Sequence, residues 1–472
     1  MRTGSRCPAT DLAKTTRSRA LVITFPKPIA AFIDSPFFKG SFIYLLGSVL
    51  NSVLPLALLP VLTRHLSPTD YGIVATATVL TQILVVFIGI NAYGLLVRCH
   101  FDDHAGNLRD LLSTAMTLSG CVAAVFLGLS LALGGTLERF TEFPAAWMSA
   151  VLFIAVGLVI QNNYLALLQA RSEPLRYIAI QSVGSLLNLG LSVFLVVQWH
   201  MDWKGRMWAL MASQGVIATI CMYGLASRLK LLRFRFTHDS YRQLAAFGIP
   251  LIPHVIGGWV MTMAARLYLN NIASVAETGL YSVAFNLTSP LAMVVGAANS
   301  AYIPTLFQQL SSKESWDRVR LCRILLLVSA SLPLLAVVCA LAVRWILPLF
   351  VGERFYGAAD FVAWMALTYA VQGIYFIFGN FVVYSKKTSL MTWRADFLGG
   401  IVLVLACPLL IRWNGPVGAA QATCLAFTAS AIGCITAAQK AYPMPWGSAF
   451  LSFLRGNRTD CLPQDYDRQS PS

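Results

Sequence analysis

Residues 58–72 read LLPVLTRHLSPTDYG, so that one apolar stretch ends, a short polar turn follows and a second apolar stretch begins. Within this turn, Ser67 and Asp70 have the spacing of a capping box, in which a hydroxyl and a carboxylate satisfy free amide groups at the start of a helix. Pro68 suits the first helical position, because a proline has no amide hydrogen to leave unpaired there. The stretch therefore predicts two apolar helices joined by a tight, capped turn.

The same pattern returns in the second half of the chain, where Ser274 and Glu277 take the two cap positions. An offset of 207 residues, from Ser67 to Ser274, also aligns further positions of the two halves. These pairs are Leu62 with Leu269, Asp70 with Glu277, Gly72 with Gly279, Ala77 with Ala284 and Leu80 with Leu287. The match indicates a parallel repeat of six helices and six helices, although the general need to cap helices at a membrane surface would also produce it.

The chain as a whole is too apolar for a soluble protein. Its 472 residues are 57% hydrophobic and 12% charged, with a mean hydropathy of +0.67. Such a chain needs the bilayer as its solvent, and twelve stretches are long enough to cross about 30 Å of hydrocarbon as helices. They lie near residues 41–63, 73–97, 111–133, 145–169, 177–198, 207–226, 244–268, 279–300, 321–343, 361–383, 395–411 and 417–439. The predicted fold class is an all-α membrane protein of about twelve transmembrane helices in two six-helix lobes.

Basic residues are distributed unevenly between the connecting loops. The loops that would share a side with both termini hold about twice as many Lys and Arg residues as the opposite loops, which places both termini in the cytoplasm. Topology thus accounts for the net charge of +15, and nucleic-acid binding is not expected. The predicted segments are a cytosolic tail at 1–38, an N-lobe at 39–226, a basic cytoplasmic linker at 227–243, a C-lobe at 244–440 and a second cytosolic tail at 441–472.

Sequence signatures of catalysis are missing. There is no GxSxG motif and no nucleotide-binding loop, and the six His are dispersed, so neither enzymatic activity nor a cofactor is expected. The ten Cys form no CxxC pair and are expected to pack as small hydrophobic side chains, without a metal. The cluster HFDDH at 100–104 has metal-ligating residue types, but a solvated loop is favoured because nothing there fixes their geometry.

Charged side chains inside spans are informative, because each costs about 2.5–3.5 kcal/mol at the bilayer centre. Asp396 is the only carboxylate in a predicted span, and it lies at interface depth beside Arg394. Arg64, Arg98 and Arg266 lie at the ends of spans. Turned inward, these arginines would line an electropositive cavity suited to a phosphate or diphosphate, which guanidinium groups bind bidentately. Turned outward, they would reach the lipid headgroups instead.

Spans one and seven contain helix-breaking residues, Pro55 and Pro60 in the first and Pro250 and Pro253 in the seventh. Interrupted helices at corresponding positions of two halves point to the central site of a transporter, although a packing kink without a ligand would give the same pattern.

Three polar residues are candidates for the translocation path. His254 lies at mid-membrane depth, where it would either carry a coupling proton or, as a neutral imidazole, bond to a carbonyl released by Pro250. Asn51 and Asn286 would hydrogen-bond between helices or contact sugar hydroxyls.

The stretch at 58–72, with LLVR at 95–98, resembles the N-terminal signature of the polysaccharide-biosynthesis flippases in the MOP (MATE-like) transporter superfamily. Second-half counterparts are FGIPLIPHVIGGWV at 247–260, AETGLYSVAFNL at 276–287 and GERFYGAA at 352–359. The resemblance implies two lobes of twelve to fourteen helices in total. It also implies export of undecaprenyl-pyrophosphate-linked repeat units to the outer leaflet, for O-antigen or exopolysaccharide assembly.

The resemblance also implies roles for individual residues. The family's arginines after the first and second spans fall on Arg64 and Arg98. Where such proteins often have Asp-Arg near the end of span seven, this chain has Ala265-Arg266, which leaves that arginine without an adjacent acid and puts shared ion coupling in doubt.

The expected partner is a lipid-linked oligosaccharide with an anionic diphosphate headgroup, together with membrane lipids and the polysaccharide polymerase machinery. The expected location is the bacterial inner membrane. Two alternatives stay open. A MATE-type ion-coupled exporter of small molecules is disfavoured, because span one has no carboxylate to bind a cation. A flippase for the peptidoglycan lipid precursor would share the lipid carrier and differ only in the glycan.

Overall fold

The structure is a computed structural model, and it describes residues 36–101, 108–229, 231, 236–311, 318–385, 387 and 395–454. Most of both predicted tails, five residues of the basic linker (230 and 232–235) and most of the HFDDH cluster lie outside these residues. The described residues form helices and no strands.

The helices are numbered here in chain order. They are α1 (Pro36–His65), α2 (Pro68–Gly89), α3 (Ala92–Phe101), α4 (Leu108–Ala132), α5 (Gly134–Thr141), α6 (Met148–Ala170), α7 (Pro174–Val193), α8 (Asp202–Tyr223), α9 (His238–Gly248), α10 (Ile252–Trp259), α11 (Ala265–Ile272), α12 (Val275–Ser311), α13 (Arg318–Phe350), α14 (Ala359–Tyr384), α15 (Phe397–Asn414), α16 (Val417–Ala441) and α17 (Trp446–Leu454). Together, α9, α10 and α11 make up the seventh span.

Eleven helical segments of the described residues are long and apolar enough to cross a membrane. A shorter apolar helix lies at Val53–His65, the end of the 30-residue α1. Large apolar side chains such as Trp345, Leu349 and Trp413 are more than three-quarters exposed, as expected for surfaces that face lipid. The protein is therefore a multi-pass membrane protein with about twelve transmembrane helices, as predicted.

Contact between the two halves of the chain is most extensive along α2 and α12, the helices that follow the two predicted caps. A Cβ atom placed on Gly72 would lie 1.9 Å from the carbonyl oxygen of Val275, and one placed on Gly279 would lie 2.0 Å from that of Pro68. The 207-residue offset relates the two contacts to each other, because it takes Gly72 to Gly279 and Pro68 to Val275. The two helix starts therefore cross in a reciprocal arrangement. Glycine permits this close backbone approach because it has no side chain.

The seventh span is interrupted twice, by a tight 3₁₀ turn at Ile249–Leu251 and by a π-helical turn at Val260–Ala264. Pro250 lies in the first interruption, and Arg266 follows the second by two residues. The first span differs from the expectation, because α1 remains α-helical through Pro55 and Pro60. A proline removes one backbone hydrogen bond, but the flanking turns of a long helix keep the helical path.

Candidate functional site

A cavity of about 250 Å³ lies between the two halves of the chain, beside the crossing of α2 and α12. It is lined from both sides: the first half contributes residues of α1, α2, α7 and α8, and the second half contributes residues of α12 and the seventh span. Two of the lining residues are cationic, Arg206 from α8 and Arg266 from α11, and none is acidic. We call this space the arginine cavity.

Arg266 is 5% exposed and is held by neutral groups. Its Nε donates to Oγ of Ser282 at 3.0 Å, and one terminal nitrogen lies 3.3 Å from the carbonyl oxygen of Thr262. The guanidinium carbon lies 4.6 Å from the ring centre of Phe285 and 5.6 Å from that of Tyr281, within the range of cation–π attraction. These contacts orient Arg266, and none of them, in the part of the chain that the structure describes, is with an anion.

Arg206 was missed by the sequence reasoning, which placed it in an outer loop because span six was drawn from residue 207. The helix begins at Asp202, so Arg206 lies in its second turn, inside the span. An aspartate in the first turn of a helix is favourable, and Asp202 was the signal that the span starts earlier. One terminal nitrogen of Arg206 contacts the side-chain oxygens of Asn188 and Ser192, whereas its Nε is buried without a hydrogen-bond partner in the described part of the chain.

Within the described residues, neither Arg206 nor Arg266 has a carboxylate within 4.0 Å. A cavity with two cations from opposite lobes and no acid is suited to a ligand with at least two negative charges.

Asn286 and Asn51 are both close to the arginine cavity. Asn286 lines the cavity, and its amide donates to the hydroxyl of Tyr71 at 2.9 Å, a bond that connects α12 with α2. The side-chain oxygen of Asn51 accepts a hydrogen bond of 2.8 Å from Ser185, which also lines the cavity. Both residues thus connect helices at the site.

The structure does not bring Arg64 and Arg98 into the arginine cavity. Both are exposed, and Arg64 donates to the carbonyl oxygen of Leu349 at 3.3 Å. Their positions at helix ends fit the alternative in which the side chains reach the membrane surface. The cation that lines the cavity together with Arg266 is thus Arg206, and not Arg64 or Arg98.

His254 has a partner that the sequence reasoning did not foresee. Its Nδ1 lies 2.8 Å from Oδ2 of Asp396, so this ring nitrogen meets a carboxylate and not a carbonyl freed by Pro250. The hydroxyl of Tyr375 donates to the other carboxylate oxygen at 3.1 Å. All three residues line a separate cavity of about 360 Å³ within the C-lobe. The single intramembrane carboxylate of the prediction is therefore occupied away from the arginine cavity.

The four cap residues differ between the two helix starts. Ser67 and Asp70 form the complete capping box: the Asp70 amide donates to the Ser67 hydroxyl at 3.1 Å, and the Ser67 amide donates to the Asp70 carboxylate at 3.0 Å. At the second start, the Glu277 amide donates to the Ser274 hydroxyl at 3.2 Å, but the described residues show no return bond to the Glu277 carboxylate. The caps fix where α2 and α12 begin and hence where they cross.

Comparisons with known proteins agree with this architecture. A family model described as "Polysaccharide biosynthesis protein" matches residues 37–310. The chain is 24% identical over 360 residues to an uncharacterized membrane protein of Haemophilus influenzae, an alignment that covers 74% of this chain and 84% of that protein. It is 22% identical over 261 residues to the succinoglycan biosynthesis transport protein ExoT of Rhizobium meliloti, covering 54% of this chain and 50% of that protein.

Two solved structures share the fold. The inward closed conformation of the lipid II flippase MurJ matches with a TM-score of 0.69 and 9% identity, covering 89% of this chain and 94% of that chain. An inward-facing MATE family multidrug resistance transporter of the MOP superfamily matches with a TM-score of 0.52 and 15% identity, covering 88% of this chain and 96% of that chain. The chain shares its fold with these two structures and belongs to the polysaccharide biosynthesis protein family.

Proposed function

We propose that the protein moves a polyprenyl-diphosphate-linked oligosaccharide from the cytoplasmic to the periplasmic leaflet of the bacterial inner membrane. The observation that carries this proposal is the arginine cavity, in which one cation from each lobe lines a shared space without a carboxylate partner in the described residues. A diphosphate would neutralise both guanidinium groups and pair with the unpartnered Nε of Arg206.

The same charges argue against export of cationic small molecules through this cavity. A cation would be repelled by Arg206 and Arg266. The buried carboxylate of Asp396 lines a different cavity and already contacts His254. An anionic headgroup is therefore the better match for the arginine cavity.

The position of the cavity fits an alternating-access cycle. Arg206 lies near the start of α8, and Arg266 lies near the end of the seventh span, so both are near the membrane face where α2 and α12 begin. Under the predicted orientation this is the periplasmic face. The Gly72–Gly279 crossing packs the two halves together beside the cavity near that face, so we propose that it separates when a headgroup is released to the periplasm. The polyprenyl tail stays in lipid throughout, because it is as apolar as the bilayer interior.

Replacement of the arginines tests the proposal. In proteoliposomes with a fluorescent polyprenyl-diphosphate-linked sugar, we expect Arg206→Gln or Arg266→Gln to slow translocation by tenfold or more. Each removes a charge-assisted hydrogen bond worth about 1.5–3 kcal/mol. Arg206→Lys retains the charge and is expected to lose less than Arg206→Gln.

Arg98→Gln is the matched control, because it removes an exposed arginine outside the arginine cavity. Full translocation by an Arg206→Gln, Arg266→Gln double variant that inserts and purifies normally would contradict the proposal. An equal loss in the Arg98→Gln control would instead assign the effect to net charge.

A further inference from the structure

A second cavity, of about 420 Å³, lies mainly within the first half of the chain. It is lined by residues of α2, α6 and α7, by residues at and after the junction of α2 with α3, and by Val255 of α10. No lining residue is charged and none is a histidine. Its polar residues are Gln82, Asn91, Asn162, Asn163, Gln169 and Gln181, with Tyr93 and Tyr177 beside them. We call it the amide cavity.

Two of these amides are buried and unpartnered. Asn163 is 2% exposed and Asn91 is 9% exposed. The side-chain nitrogen of each is buried without a hydrogen-bond partner among the residues that the structure describes. An unsatisfied buried donor costs about 1–3 kcal/mol, so two such donors at one cavity favour an occupant that can accept hydrogen bonds.

The backbone at Asn91 supports the same reading. Ile90 and Asn91 connect α2 with α3 and have φ angles of 44° and 51°, in the left-handed region that residues other than glycine seldom adopt. Asparagine tolerates this conformation better than most residues do. The turn ends α2 and places the Asn91 side chain at the amide cavity.

The amide cavity continues the arginine cavity along two helices. On α2, Thr78 lines the arginine cavity and Gln82 lines the amide cavity. On α7, Ser185 lines the arginine cavity and Gln181 lines the amide cavity. Each step is about one helical turn, or about 5.4 Å. The two cavities are therefore close enough for one elongated ligand to reach both.

We propose that the amide cavity binds the uncharged sugar rings of the substrate whose diphosphate lies beside Arg206 and Arg266. This inference rests on the proposed function. Each carboxamide offers both a donor and an acceptor, which matches the hydroxyl groups of a sugar, and the lack of charge avoids the cost of desolvating an unpaired ion. The cavity volume is many times the roughly 30 Å³ share of a water molecule, so it has room for a sugar ring.

Binding of three probes to the full-length protein in nanodiscs tests the inference. The probes are undecaprenyl diphosphate, the same lipid diphosphate carrying a disaccharide, and the free disaccharide. We expect the sugar-bearing lipid to bind most tightly of the three. We expect Asn163→Leu to weaken only that probe, by about three- to tenfold, the value of one or two neutral hydrogen bonds.

Two further variants separate recognition from folding. Gln82→Ala removes an exposed amide of the same cavity and is expected to weaken the sugar-bearing lipid selectively, to a smaller degree. Gln161→Leu is the matched control on α6, because that amide bonds to Gln214 and does not line the cavity. This variant is expected to leave the binding of all three probes unchanged.

The outcomes distinguish this inference from the proposed function. An Asn163→Leu variant that weakens both lipid probes equally, or neither, overturns the sugar site while the diphosphate site stands. A free disaccharide that binds as tightly as the lipid-linked one overturns it as well, since the cavity would then serve a soluble sugar. The proposed function itself is contradicted if neither lipid probe binds. It is also contradicted if both lipid probes bind and Arg206→Gln does not weaken their binding.

Discussion

At the scale of single residues, the protein separates its charges. Arg206 and Arg266 have no acidic partner in the described residues, whereas Asp396 contacts His254 in the C-lobe. A cation inside a membrane span without an acid is costly, so keeping two of them at one cavity points to a ligand that supplies the missing negative charge. Asp396 contacts other side chains in the C-terminal half and does not neutralise either arginine.

The His254–Asp396 contact predicts energetic coupling between the two side chains. Asp396 is mostly buried and His254 is nearly half exposed, so we expect a coupling energy of about 1 kcal/mol, below that of a fully buried pair. His254→Gln and Asp396→Asn should each lower the unfolding temperature, and the double variant should lose less than the two losses added. Fluorescence of the 11 tryptophans during heating in detergent measures this. Additive losses would mean that the contact contributes nothing to stability.

A proton-carrying role for His254 remains a prediction, with its own measurement. If His254 couples transport to a proton gradient, an imposed pH difference should accelerate translocation in the wild type and not in His254→Gln. The Thr262→Val variant is a suitable comparison, because Thr262 lines the same cavity and does not titrate. Equal acceleration in all three proteins would exclude His254 as the coupling group.

At the scale of helices, sequence reasoning succeeds where a local rule applies and fails where a partner is distant. Hydropathy locates the spans, and the cap at Ser67 follows from residues three positions apart. Arg206 was missed because the first turn of its helix is polar, and a hydropathy criterion leaves such a turn out of the predicted span. The partner of His254 is 142 residues away along the chain, and no local pattern could have identified it.

The reciprocal crossing of α2 and α12 predicts that its glycines control the closed state. A side chain at position 72 would press on the backbone of Val275, which cannot rotate away, and overpacking of this kind costs about 1–3 kcal/mol. We therefore expect Gly72→Val and Gly279→Val to favour separated helix starts. Disulfide cross-linking between cysteines placed at Thr69 and Ala276, in a background without native cysteines, should fall by about fivefold or more.

Gly296→Val is the control for that experiment. It lies on α12 as well, but nothing stands within 4 Å of where its Cβ would be, so cross-linking should remain as in the unmodified background. Unchanged cross-linking in Gly72→Val would mean that the two helices accommodate the added side chain without moving apart. The crossing would then not be what closes the cavity.

At the scale of the whole molecule, the orientation in the membrane decides the direction of transport. The arginine cavity lies near the face where α2 and α12 begin, opposite the face where α7 begins after Arg171. Lys and Arg residues concentrate in the loops of that second face, which the positive-inside rule assigns to the cytoplasm. In this predicted orientation we expect the closed crossing to face the periplasm, and under the proposed function a headgroup would enter from the cytoplasm.

Reporter fusions test this orientation directly. Alkaline phosphatase folds only outside the cytoplasm, so it should be active when fused after His200 or Gly415 and inactive after Ser172 or at the C-terminus. A fluorescent protein that matures only in the cytoplasm should give the opposite pattern. Moving clusters of Arg and Lys across the bilayer is costly, so we expect the molecules to insert in one orientation. All fusions on the same face should then report the same side of the membrane. Active phosphatase at the C-terminus would show that the orientation is the opposite of the predicted one. The arginine cavity would then lie near the cytoplasm, and the headgroup would be released on the other side.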